Sequence, residues 1–186
     1  MSSRVIIFAV LCLLQLGAAA SGIARYERTL TAGADVLLAV APVDPADPFR
    51  GRYVTLSFEL ERASHKLEGS MPTYDEPVYV VLKVDAGRVA TVDHVTSDRP
   101  ASGLYLKADS GWQDSDTTIH VSLPLKRYYM NEALAPAAEE AYRQAIVRDD
   151  SKKNYARVRL LDGRAVIEAV LLDGVPIEQA ARALNH

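Results

Sequence analysis

The sequence at residues 42–60 is PVDPADPFRGRYVTLSFEL. Its first part is rich in proline, which fixes the backbone and removes amide donors, so it predicts a stiff connector rather than a strand. From Tyr53 to Leu60 polar and apolar residues alternate, and the valine, leucines and phenylalanine fall on one face. This period of two predicts a half-buried strand that the chain enters through Arg50 and Gly51.

Runs rich in β-branched and apolar residues recur along the rest of the chain between glycine, proline and aspartate. They predict two hairpins, with turns at Asp85-Ala86-Gly87 and Asp162-Gly163, in which a glycine takes a positive φ. The regions 61–77 and 108–117 are polar and predict loops, and one short helical turn is the alternative within the first. The predicted strands cover residues 35–40, 53–60, 78–84, 88–95, 104–107, 118–123, 155–161 and 164–172.

Two helices are predicted in the C-terminal third of the chain. Small apolar residues recur at helical spacing from Pro136 to Arg148, and a short helix from Ile177 to Leu184 follows Pro176. The pattern therefore predicts an α+β fold with mainly antiparallel strands, a small barrel or sandwich with one packed helix, preceded by an N-terminal transmembrane helix.

Residues 5–24 contain no charged side chain. As a helix they would be about 30 Å long, the thickness of the hydrocarbon core of a membrane. A cleaved signal peptide with its site before Ser21 is the alternative. Apolar residues continue at helical spacing as far as Gly33, which favours a retained anchor. We therefore predict an anchor over residues 1–24 and an exported domain over residues 25–186.

The overall charge argues against a nucleic-acid partner. The chain has 21 basic and 24 acidic residues and no basic run that could follow a phosphate backbone. Its single cysteine, Cys12, lies in the apolar leader, so the rest of the chain has no disulfide and no thiol nucleophile. Its four histidines have no metal-ligand spacing, and we predict no metal and no cofactor.

Several motifs resemble those of the bacterial GDYXXLXY family, named for a Gly-Asp-Tyr-x-x-Leu-x-Tyr motif that reads GRYVTLSF at residues 51–58. The segments at residues 99–107 and 127–132 are also similar. Arg52 replaces the motif aspartate and reverses its charge, and Phe58 replaces the last tyrosine. The resemblance implies a membrane-anchored envelope protein of unassigned activity, sometimes associated with multi-spanning membrane proteins. We assign a structural role in these motifs to Gly51, Leu56, Phe58 and Pro100.

Arginine, lysine and tyrosine side chains in these motifs are the candidate site for a ligand or partner, because arginine and tyrosine are favoured at recognition surfaces. A structural role, in which they brace loops and close the ends of the barrel, is the alternative. If Arg50, Lys107 and Arg127 converged, they would favour an anionic ligand. The candidate binding residues are Arg50, Tyr53, Lys107, Arg127, Tyr128 and Glu132.

No catalytic constellation stands out, and Ser57 with Lys107 is the one nucleophile and base pair that the motifs suggest. We therefore predict a non-enzymatic interaction module that binds a membrane-protein partner. The expected location is a single-pass protein of the bacterial inner membrane, with its C-terminal domain in the periplasm or outside the cell. The alternative is a small-ligand-binding or hydrolytic module that acts on cell-wall or lipid head-group substrates.

Overall fold

The computed structural model describes residues 3–41, 53–73, 76–115, 117–148 and 154–184. The helices are α1 (Ser3–Ala32), α2 (Glu59–Arg62), α3 (Ala135–Arg148) and α4 (Ile177–Leu184). The strands are β1 (Ala34–Ala41), β2 (Tyr53–Thr55), β3 (Ser57–Phe58), β4 (His65–Glu68), β5 (Pro77–Val84), β6 (Ala90–Thr96), β7 (Tyr105–Ser115), β8 (Thr118–Ser122), β9 (Arg127–Tyr129), β10 (Tyr155–Leu161), β11 (Arg164–Leu172) and β12 (Val175–Pro176). The proline-rich connector, with Arg50 and Gly51, lies outside the described residues.

Five strands close into a small barrel in the order β4, β6, β5, β7, β8, and β8 pairs back with β4. The pairs are antiparallel except for the parallel pair of β4 and β6. Alternate side chains of a strand point to opposite faces, so one face of each strand fills the interior. Val78, Val80, Val95 and Ile119 are fully buried there.

A second sheet has the order β12, β11, β10, β1, β3, and all its pairs are antiparallel. Helices α3 and α4 pack against each other and against β11. The buried Tyr142 of α3 donates a hydrogen bond of 2.8 Å to the carbonyl oxygen of Ala41 at the end of β1. Burial also raises the pKa of the Tyr142 hydroxyl. The α+β class with a small barrel, predicted from the sequence, is confirmed.

Two backbone hydrogen bonds between described residues join the barrel to the second sheet. The amide of Lys107 in β7 donates to the carbonyl oxygen of Gly163 at 2.9 Å, and the amide of Leu37 in β1 donates to that of Arg88 at 2.8 Å. Gly163 has a φ of +80°, and a Cβ atom there would lie 2.7 Å from Cε2 of Tyr105. The turn between β10 and β11 therefore needs glycine both for its backbone angle and for its close approach to the barrel.

Helix α1 runs without interruption for 30 residues, from Ser3 to Ala32. It is long and apolar enough to cross a membrane, and its most apolar window has no buried residue. Its last part packs on β10 and β11, and Thr29 is buried there. The predicted continuation of the helix up to Gly33 is therefore confirmed.

The predicted strand over residues 53–60 is divided in the structure. β2 pairs with β9, whereas β3 pairs with β1, so the chain passes from one sheet to another near Leu56. Helix α2 then starts at Glu59, and the carboxylate of Glu61 accepts the amides of Phe58 at 3.1 Å and Leu123 at 2.7 Å. The predicted alternation of burial persists through Phe58, but one continuous strand over these residues was wrong.

Three further predictions were wrong in detail. The predicted loop over 61–77 contains β4, because this short strand closes the barrel. The predicted loop over 108–117 is largely the second half of β7, where Trp112 stacks on His120 of β8 with ring centroids 3.8 Å apart. In the hairpin of β5 and β6, Arg88 takes the positive φ, at 67°, instead of Gly87.

Candidate functional site

The paired strands β2 and β9 present three side chains that we call the tyrosine–arginine patch: Tyr53, Arg127 and Tyr129. Tyr53 and Tyr129 are direct partners across the strands, and their ring centroids lie 5.6 Å apart in an edge-to-face arrangement. The guanidinium carbon of Arg127 lies 4.9 Å from the centroid of the Tyr53 ring. Tyr129 is 66% exposed, so the patch faces solvent.

Arg127 carries a positive charge at every physiological pH, as any guanidinium does. Its hydrogen bond to the side chain of Tyr129, and then the electrostatic interaction with Tyr53, raise the pKa of Arg127 above its ordinary value. No ion pair joins it to a carboxylate of the described residues. A cation over an exposed aromatic face contributes about 0.5 to 1 kcal/mol. The patch therefore presents a fixed positive charge framed by aromatic rings.

Tyr128 lies between Arg127 and Tyr129 in β9 but points to the other face of the strand. Its hydroxyl donates a hydrogen bond of 2.5 Å to Glu178 of α4. Partial burial, and then this bond, raise the pKa of Tyr128. Glu132 is exposed in the turn before α3 and is not part of the patch. This hydrogen bond connects β9 to α4, which is a structural role for Tyr128 rather than a binding role.

A cleft of about 530 Å³ lies where the end of α1 meets the barrel and the second sheet. We call it the α1 cleft. Its charged lining consists of three basic side chains, Arg25, Lys107 and Arg164, and one carboxylate, Asp109. All four are exposed, and none forms an ion pair with a described residue. The rest of the lining is Gly22, Tyr26, Thr29, Pro124, Gly163, Ala165 and Val166.

The candidate residues of the sequence thus fall in different places. Tyr53 and Arg127 meet in the patch, while Lys107 lines the α1 cleft and Arg127 does not. Arg50 lies outside the described residues. Ser57 lies in β3, paired with Ala41, and is not among the residues that line the cleft with Lys107. The structure therefore gives no geometric support for a pair of Ser57 and Lys107.

The residues with a predicted structural role occupy the core and a bend. Leu56 is 2% exposed and Phe58 is fully buried, so the apolar face of the motif packs inside the domain. Pro100 is half-buried in the bend before β7, beside Arg99, whose Nε donates to the Tyr105 hydroxyl at 2.9 Å. Gly51 lies outside the described residues.

In the described part of the chain, no group of three or more His, Cys, Asp or Glu side chains is placed to hold a metal ion.

The α1 cleft was not predicted from the sequence. Two signals point to it in hindsight: Arg25 is the first charge after the apolar run, and Arg164 follows the Asp162-Gly163 turn. Neither signal shows that residues so far apart in the chain come together.

The fold and the two surfaces define a class of protein: an α+β domain, built from a closed barrel and a five-stranded sheet, that follows a helix able to span a membrane. Residues 15–170 match the family described as GDYXXLXY protein, and the chain belongs to that family. The match includes every residue of the patch and of the cleft lining. No curated protein and no solved structure matches the chain.

Proposed function

We propose that this chain is a single-pass membrane protein of the bacterial inner membrane whose domain, on the outer side, binds a membrane-protein partner through the tyrosine–arginine patch. The single observation that carries the proposal is the surface cluster of Tyr53, Arg127 and Tyr129, in which Arg127 and Tyr129 are exposed and Tyr53 is half-buried. Arginine and tyrosine are enriched among the residues that dominate binding energy at protein interfaces. The anchor corresponds to residues 1–24 and the domain to residues 25–186.

The chemistry of the patch limits the partner. Arg127 is cationic and has no described carboxylate as a partner, so the complementary surface carries an aspartate, a glutamate or a C-terminal carboxylate. The two rings supply rigid apolar area at a low entropy cost. A partner in the same bilayer is favoured because anchoring confines both proteins to one surface and raises their effective concentration.

The exposed length of α1 supports the anchor. Its apolar face has no protein to pack on among the described residues, and Phe8, Leu13 and Leu16 are each more than 60% exposed. A large exposed apolar surface of this kind is stable in lipid and unfavourable in water. Resistance of the chain to alkaline carbonate extraction tests the anchor, and a mature N-terminus at Ser21 would contradict it.

The partner is tested by affinity capture from solubilised membranes with the double variant Arg127→Ala/Tyr129→Ala. The matched control is Arg143→Ala/Trp112→Ala, which also removes one exposed arginine and one aromatic ring; Trp112 is 64% exposed. We expect one membrane protein to be recovered with the wild type and the control. The patch variant should weaken its binding about 30-fold or more, as for truncated interface hot spots. Equal recovery with both variants would contradict the proposal.

A further inference from the structure

We propose that the α1 cleft binds the headgroup of an anionic glycerophospholipid in the leaflet where α1 leaves the membrane. This inference rests on the anchoring of α1 proposed above, but not on the patch or its partner. The cleft joins four parts of the chain, namely α1, β7, Pro124 after β8, and Gly163 with the first residues of β11, and it lies at the end of the uncharged run of α1.

The depth of the cleft matches the headgroup layer. Residues 5–24 span about 30 Å, so the hydrocarbon core ends near Arg25. The cleft contacts α1 from Gly22 to Thr29, a rise of about 10 Å, and the headgroups add roughly 5 to 8 Å on each side of the core. Tyr26 is also in this lining, and tyrosine is enriched at the membrane interface.

The net positive charge of the cleft favours an anionic ligand. Three basic side chains and one carboxylate give the lining a net positive charge, and no described residue neutralises the three cations. Arginine and lysine are the usual partners of phosphate oxygens. Asp109 can accept a hydrogen bond from a headgroup hydroxyl, which favours a glycerol headgroup.

The open end of the cleft favours a lipid over free phosphate. At Gly22, a Cβ atom would have no neighbour within 4 Å, so this end of the cleft is unobstructed. Beside it, Ile23 is 65% exposed on the apolar helix. A lipid can therefore place its phosphate among the basic side chains while its acyl chains lie along α1.

The test uses the full chain in nanodiscs of phosphatidylcholine that contain a minority of phosphatidylglycerol. After mild detergent extraction, native mass spectrometry measures the lipids that stay bound. Lys107→Ala/Arg164→Ala removes two of the three cations. The matched control, Lys66→Ala/Arg143→Ala, removes one lysine and one arginine from exposed surface pairs with Glu68 and Glu140, away from the cleft.

We expect phosphatidylglycerol to be enriched over its bulk fraction with the wild type and the control. The cleft variant should reduce this enrichment on the order of twentyfold, since each basic residue near an anionic membrane contributes about a factor of five. Asp109→Asn keeps a hydrogen-bond acceptor for the headgroup hydroxyl and removes the negative charge that repels the phosphate, so it should increase the enrichment. Equal enrichment with both double variants, or a decrease with Asp109→Asn, would overturn the proposal.

Two further measurements identify the source of the phosphate and distinguish failure of the lipid site from failure of the anchor. If soluble glycerol phosphate displaced the lipid at a similar concentration, the site would bind free phosphates and the lipid proposal would fail. Release of the chain by carbonate would show that the anchor itself fails. A chain that resists carbonate and shows no enrichment would leave the anchor intact and overturn the lipid site alone.

Discussion

The tyrosine–arginine patch and the α1 cleft are both exposed and both basic, but they are assembled differently. The patch comes from two short paired strands, and its side chains contact one another, with Arg127 placed over Tyr53. The cleft comes from four separate parts of the chain, and its basic side chains form no ion pair with a described residue. A preorganised cluster suits a protein surface of fixed shape, whereas separate exposed cations suit a lipid headgroup.

The two surfaces also depend on different parts of the fold. The patch includes Tyr53 of the family motif, and Val54, Leu56 and Phe58 of the same motif are buried in the core. The cleft depends on the docking of α1 and of the Gly163 turn against the barrel. Variants that destabilise one of these two regions and leave the other intact can therefore distinguish the roles of the patch and the cleft.

The largest effect is expected from Phe58→Ala. Phe58 is fully buried in β3, and removing an aromatic ring from a core costs about 3 to 5 kcal/mol. Urea unfolding in detergent, followed by the fluorescence of the single tryptophan, Trp112, measures the loss. Thr55→Ala, at an exposed position of β2, is the control and should change the free energy of unfolding by less than about 0.5 kcal/mol. Similar costs for the two variants would contradict a core role for the motif.

An intermediate effect is expected from Gly163→Ala, which tests the support of the cleft. The positive φ alone costs alanine about 1 to 2 kcal/mol, and the close approach to Tyr105 adds about 1 to 3 kcal/mol. Gly174→Ala is matched, because its φ is +79° and no atom lies within 4 Å of the added Cβ. Urea unfolding should show a larger loss for Gly163→Ala, and retained phosphatidylglycerol should fall with this variant alone. Equal losses of stability would mean that the close approach of the turn to Tyr105 adds no steric cost.

The smallest effect is expected from Tyr128→Phe, which probes the inward face of the strand that carries the patch. Loss of the hydrogen bond to Glu178 should cost about 1 kcal/mol and leave partner capture unchanged. The pKa of Tyr128 is raised above the ordinary value of 10.0 in the folded state. Its stabilisation is therefore present below about pH 10 and is lost as the pH rises further.

Urea unfolding of the two proteins between about pH 8 and about pH 11 measures this dependence. The wild type should lose stability above about pH 10, and Tyr128→Phe should lose less, with the remainder coming in part from Tyr142, whose pKa is also raised. A variant that lost partner capture at full stability would instead place Tyr128 in the binding surface.

Local patterns in the sequence predicted much of the fold. Alternation and turn residues located most strands and both hairpins, and the uncharged run located α1. The sequence could not show that the chain changes sheets at Leu56, because burial alternates in the same way on both sides of the break. β4 was missed because a four-residue strand carries too little periodicity, and its pairing with β8 is a long-range contact.

The candidate site was also predictable only in part: the sequence indicated several of its residues but not which of them lie together. Tyr53 and Arg127 were found because their residue types are typical of recognition surfaces, and the pairing of β2 with β9 then brought them together. Lys107 was found from its motif, but its neighbours were not. Arg25 and Arg164 lie 139 positions apart in the sequence, from 25 to 164, and no local pattern shows that both line one cleft.

The most direct test of the central claim is photo-crosslinking in intact membranes from one position in each surface. A photoreactive residue is introduced in place of Tyr129 in one chain and in place of the exposed Pro124 of the cleft lining in another. We expect position 129 to form an adduct with one membrane protein, which Arg127→Ala weakens, and position 124 to form adducts with lipid. Protein adducts from position 124 and none from position 129 would contradict the central claim.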